Sequence, residues 1–229
     1  MSSLTLARLR RSTAAVSIAA GGLLGLGSLI IQPPFSGDLA QDAAALAGTA
    51  AAAVGIHLYA ISQVFWTIGF IGLAHLASRR SPVLALLGGA LVALGVLGHT
   101  VYSGTALTQL ALASSGDTDA AVAAMGAAQS AVFLPYLALG LLGATLGLVL
   151  LAVATMHART MPLWVPVVLI AWVLIEFVLS GFIAWGGYLS IVVGIIVFCS
   201  LAVFMWRSAL ACWQTAAEAS VPAAEGARA

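Results

Sequence analysis

Glu176 is the one acidic side chain set deep within a long apolar run of this chain. A carboxylate in hydrocarbon costs several kcal/mol unless it is protonated, paired or facing water, so it marks either a functional pocket or a buried structural hydrogen bond. Glu176 stands fourteen residues after Pro162, and His99 stands seventeen after Pro82. At 1.5 Å per residue Glu176 lies about 21 Å along its helix, and His99 reaches a similar or slightly greater height. His57 and Tyr136 fall near the same membrane surface. Tyr102 is one turn beyond His99 and Ser180 one turn beyond Glu176, on the same helical faces. Glu176, His99, His57, Tyr136, Tyr102 and Ser180 are therefore the candidate ligand-binding set. Together they would form an outer-leaflet polar pocket for a small amphiphile, a cation or a proton.

Two histidines and a carboxylate also make a donor set for zinc or iron, with His57, His99 and Glu176 as the candidate metal ligands. No HExxH or other local ligand spacing supports that assembly. His75 lies eighteen residues after His57, five turns along one helix face, and His157 falls at a matching height. The pairs His57/His99 and His75/His157 could thus hold two b-type haems. The pairs would be about 27 Å apart by helical rise. The second of them abuts Arg79 and Arg159, where a histidine ordinarily faces headgroups. Haem and a divalent metal stay as alternatives to a site with no cofactor. Ser180 lacks the setting of an activated nucleophile, and the absence of lysine removes Schiff-base chemistry and the lysine of a phosphate-binding loop.

The elements that must position these residues follow from composition. The 229 residues are 62% hydrophobic and 7% charged, too few charges to clothe a water-soluble globule. Apolar runs bounded by polar residues predict an all-α polytopic protein with six transmembrane helices, at about 14–31, 48–77, 83–108, 128–157, 162–183 and 187–206. Residues 1–13 read as a cytoplasmic tail, 14–213 as the membrane domain, and 214–229 as a second cytoplasmic tail, disordered or a short interfacial helix.

All eight basic residues are arginines: Arg8, Arg10, Arg11, Arg79, Arg80, Arg159, Arg207 and Arg228. Six spans place every one on the cytoplasmic side, with Asp38, Asp42, Asp117 and Asp119 outside, which predicts a cell-membrane protein with both termini inside. The first apolar run has no small-x-small cleavage site and reads as a retained span. Net charge is +1, with no basic face for nucleic acid. Cys199 and Cys212 lie about 20 Å apart along a helix and cannot bridge.

A weak repeat with a period near 79 residues pairs Ser36-Gly37-Asp38 with Ser115-Gly116-Asp117, Tyr59 with Tyr136, and Arg79-Arg80-Ser81-Pro82 with Arg159-Thr160-Met161-Pro162. It predicts tandem helical hairpins, spans two and three repeated as spans four and five, around a four-helix core with spans one and six outside or capping it. Gly21/Gly25, Gly143/Gly147 and the Gly88–Gly98 series offer small faces for close helix contact.

Three classes of function fit these residues. The favoured one is a non-enzymatic protein that binds or transports a small amphiphile, cation or proton. The alternatives are a membrane redox or metal enzyme subunit with His and Glu ligands, and a structural accessory subunit of a larger complex or homo-oligomer.

Overall fold

The computed structural model describes residues 2–33, 36–47, 49–180, 182–183, 185–215 and 217–218, and among them every regular element is helical. The chain runs α1 (Ser3–Ile31), α2 (Leu39–Leu46), α3 (Ala50–Ser78), α4 (Pro82–Ser114), α5 (Thr118–Ala128), α6 (Leu134–Ala158), α7 (Trp164–Leu174) and α8 (Gly186–Arg207). A π-helical turn, Ile175–Leu179, prolongs α7, and a 3-10 turn, Leu210–Trp213, follows α8. Five helices, α1, α3, α4, α6 and α8, are long and apolar enough to cross a membrane, while Trp164–Leu179 is a shorter apolar segment. The architecture is that of a helical membrane protein.

Residues 3–13, expected as a cytoplasmic tail, are helical and continuous with the first long apolar segment. Ser2 caps that helix by accepting from the Thr5 N–H at 3.3 Å. Arg10 then holds it against the far end of the chain, pairing with Glu218 at 2.6 Å and donating to the Trp213 carbonyl at 3.1 Å. Arg11 lies over the Trp206 ring, 5.9 Å from its centroid. Of the second tail, Gln214, Thr215, Ala217 and Glu218 are described; the remainder, with Arg228, lies outside the described residues.

The five long apolar helices and the shorter α7 form a closed ring in the order α1, α3, α4, α6, α7, α8, with α3 also touching α6 across it. This corrects the expected core of four helices flanked by spans one and six. Ala14, Ile18 and Leu26 of α1 share the main core with Val197, Phe198, Leu201 and Met205 of α8. The glycines explain the difference. Side chains added at Gly21 or Gly25 would strike the Trp66 ring of α3, and one at Gly22 would strike Phe198. Three aromatic contacts then lock the centre: Phe198 lies 5.9 Å from Trp66, 4.9 Å from Trp172 and 6.4 Å from Phe70.

Across the ring, α4 and α6 meet backbone to backbone. A Cβ on Gly95 would run into the Ala144 amide, and one on Gly98 into Gly140 and the Tyr136 carbonyl. Without a hydrophobic drive between helices in lipid, such close approach supplies the dispersion contacts that hold them.

The two Ser-Gly-Asp turns adopt one geometry. Gly37 and Gly116 both sit at φ +86°, a conformation that glycine takes without strain. Asp38 accepts from the amides of Ala40 and Gln41, and Asp117 from that of Ala120. These turns open α2 and α5, two short helices outside the spans, so the segment expected to cross from residue 128 begins instead at Leu134. Asp38 and Asp117 are N-caps of these lids. Ala43, Ala121 and Met125 pack there with Ala113 of α4. The two proline turns are unlike each other. Pro82 is the first residue of α4, whereas α7 starts two residues after Pro162 and Arg159 takes a left-handed φ of 51°.

Candidate functional site

Beneath α2 and α5, at the end of the ring that carries the aspartates, lies a cavity of about 260 Å³. Its aromatic wall comes from Tyr59 of α3, Tyr102 of α4, Phe133 before α6, and Tyr136 of α6. Tyr59 and Tyr102 meet edge to face, with centroids 6.4 Å apart. Asp42 of α2 also lines the cavity, and no arginine or histidine does so among the described residues.

Asp42 is held with unusual firmness for an acid on a short helix. It is 6% exposed. Its Oδ1 accepts from the Ser36 amide at 2.8 Å and from the Ser36 hydroxyl at 2.7 Å. Its Oδ2 is buried with no hydrogen-bond partner among the described residues. A buried carboxylate oxygen left unpaired carries a desolvation cost of about 1–3 kcal/mol or more, which a bound cation or donor would relieve.

The floor of the cavity connects to the ring interior. The Tyr59 hydroxyl and His99 Nδ1 share a hydrogen bond of 2.7 Å between α3 and α4. The His99 ring faces Phe177 of the π turn at 6.3 Å. Glu176, next to Phe177, accepts a short hydrogen bond from the Ser190 hydroxyl of α8, and the Ser180 hydroxyl donates to the Glu176 carbonyl. The π geometry is seen in the Ser180 amide, which reaches the Ile175 carbonyl at 2.8 Å. One extra residue per turn re-aims Glu176 toward α8, and such turns recur at functional sites.

The six expected site residues are therefore divided. Tyr102 and Tyr136 line the cavity, and His99 supports it from below through Tyr59. Glu176 and Ser180 stand apart, with Ser190 as the hydrogen-bond partner of Glu176 where His99, His57 or Tyr136 was expected. His57 is exposed, its Nδ1 donating to the Ala53 carbonyl at 2.7 Å within its own helix.

Among the described residues no three His, Cys, Asp or Glu side chains come close enough to hold a metal ion, so His57, His99 and Glu176 are not assembled as ligands. Of the second histidine pair, His75 stacks on Trp213 at 5.7 Å and His157 is exposed.

Asp42 and Tyr59 are the residues that sequence reasoning passed over as site members, one taken as an outer acid and the other as the repeat counterpart of Tyr136. The available signal for Asp42 was its place one turn beyond the N-cap Asp38, on the same face of an alanine-rich stretch. Tyr59 had no such signal, because its partner lies forty positions away.

No protein-family model, curated protein or solved structure matches this chain.

Proposed function

We propose that this chain is a six-span protein of the cell membrane, with both termini cytoplasmic, whose outer cavity binds a small amphiphilic cation. The sixth span would be Trp164–Leu179, and the arginine-bearing ends of α1, α3, α6 and α8 would face the cytoplasm. The tandem repeat of the α3–α4 and α6–α7 hairpins belongs to the same proposal, supported by the matching turns at Gly37 and Gly116.

The observation that carries the ligand class is that Asp42, whose Oδ2 has no hydrogen-bond partner among the described residues, lines a cavity walled by tyrosines. Aromatic faces attract a cation by about 0.5–2 kcal/mol each, more when water is excluded. The carboxylate supplies the countercharge, and Phe133, Met125 and Leu137 supply surface for an apolar tail. An anion would meet Asp42 with no compensating basic group. The Tyr59–His99 hydrogen bond gives the site a polar floor and a route by which occupancy could be felt deeper in the ring.

The test is calorimetric titration of the protein in nanodiscs with butyltrimethylammonium and with its uncharged carbon isostere. The cation should bind and the isostere should bind at least tenfold more weakly. Asp42→Asn should lower cation affinity about tenfold, some 1.4 kcal/mol, and leave the isostere unchanged. Equal affinities for the two probes would overturn the ligand class, and absence of binding by either would overturn the site.

A further inference from the structure

At the opposite end of the ring a second recess, about 270 Å³, is lined by Arg79 and Arg80 after α3, by Arg159 and Thr160 after α6, and by Ser208 after α8. Among the described residues no carboxylate lines it. Arg80 Nη1 donates to the Ala158 carbonyl at 3.3 Å, tying the α3–α4 turn to the end of α6. Arg79 and Arg159 have no side-chain hydrogen bond or ion pair among the described residues, and the one ion pair at this end joins Arg10 to Glu218 instead. The Thr160 hydroxyl is buried without a hydrogen-bond partner among the described residues.

Three arginines line one recess, a gathering of like charge that an anion would balance. Helix C-termini explain part of the arrangement, since Arg79 and Arg159 each follow the last carbonyls of a helix, where a cation is favourable. They do not explain the backbone of Arg159. At φ 51° this residue holds a conformation that glycine would adopt without cost, and the chain keeps a guanidinium there. Arginine presents planar forks that match phosphate oxygens two at a time, and basic pockets at the ends of membrane helices suit phosphate headgroups.

We propose that this recess binds a phosphate anion, with Arg79, Arg80 and Arg159 donating from their forks and Thr160 from its hydroxyl. The recess lies level with the ends of the long helices, so free inorganic phosphate and the phosphate diester of an anionic lipid, whose charge no choline cation offsets, both reach it, and the two are separated by experiment.

Protein purified from mixed phosphatidylglycerol and phosphatidylcholine vesicles is assayed for retained lipid by mass spectrometry. In parallel, inorganic phosphate is titrated calorimetrically into protein held in phosphatidylcholine nanodiscs. If the source is lipid, wild type retains phosphatidylglycerol in preference to phosphatidylcholine, and millimolar phosphate does not displace it. If the source is the free ion, the titration shows saturable binding and the retained lipid shows no preference. In either case Arg79→Gln and Arg159→Gly should each weaken the effect about tenfold, while Arg8→Gln, at the same end but outside the recess, should leave it intact. Arg159→Gly removes the guanidinium and relieves the left-handed backbone, so its melting temperature should hold or rise. Loss of binding without loss of fold is then the expected result. Wild type that neither prefers phosphatidylglycerol nor binds phosphate, or variants that equal wild type, would overturn the assignment.

Discussion

The two ends of this ring hold recesses of nearly equal size, about 260 and 270 Å³, made from opposite materials. At the aspartate end the walls are aromatic rings, and the cover is two helices, α2 and α5, that take no part in crossing. At the arginine end the walls are the turns that join the long helices, and only the segment after α8 lies over them. A carboxylate at the first end is pinned by Ser36, whereas two of three guanidiniums at the second are held by nothing described. The difference shows two ways of making a polar site on an apolar scaffold. One adds chain to exclude water around a fixed charge; the other gathers charges where the connections already converge.

Because α4 runs from one end to the other, the most damaging change should remove both sites together. Gly98→Leu would drive a side chain into the Gly140 backbone and separate α4 from α6, at a cost of about 3 kcal/mol or more. Thermal unfolding in detergent should show a large fall in melting temperature, with loss of both cation and phosphate binding. Gly104→Leu, on the same helix with open space around its Cα, should be nearly silent. Retention of either site in folded Gly98→Leu protein would mean that the ends are built independently.

Asp42→Asn should separate the ends, lowering cation affinity about tenfold, some 1.4 kcal/mol, while phosphate binding stays at the wild-type level. A smaller effect is expected for Tyr59→Phe. It removes the 2.7 Å hydrogen bond to His99 and leaves the ring in place, so stability should fall by about 0.5–1.5 kcal/mol and cation affinity by a few-fold. Chemical denaturation alongside the cation titration would measure both.

The smallest effect concerns pH at the arginine end. The Arg10 guanidinium beside Glu218 holds its carboxyl down to about 2 from an ordinary value of 4.5. A depressed carboxyl contributes its stabilisation above its unfolded value and loses it as pH falls through the folded one. The tether should therefore weaken only between about pH 4.5 and 2, and an exposed pair contributes little. Fluorescence of Trp213, whose carbonyl accepts from Arg10, should change over that window in wild type and not in Glu218→Gln.

Much of the scaffold was legible because each span announces itself by composition. The last helix was expected at 187–206 and occupies Gly186–Arg207; the second was expected at 48–77 and occupies Ala50–Ser78. The lids were not legible as separate helices. At 8 and 11 residues, α2 and α5 blend by hydropathy into the alanine-rich approaches to the spans. The site depends on those lids, so Asp42 was seen only as an acid on the outer side. Glycine faces were legible as contact surfaces but not their partners: Gly21 and Gly25 receive an indole ring, while Gly95 and Gly98 receive backbone. The Tyr59–His99 and Glu176–Ser190 pairs depend on how neighbouring helices are rotated, which one-dimensional spacing does not encode.

The brevity of Trp164–Leu179 has a consequence for the surrounding lipid. At 1.5 Å per residue this segment offers about 24 Å of apolar helix, against a hydrocarbon thickness of about 30 Å. On the six-span reading, one flank of the ring is too short for its bilayer while the α4 flank, 33 residues long, exceeds it. Were that segment to cross, lipid bordering the short flank would thin and the annulus around the molecule would take the form of a wedge. Glu176, in the π turn, would then stand on the thinned side, with the headgroup region and its water drawn toward a carboxylate that an apolar surround would otherwise strand.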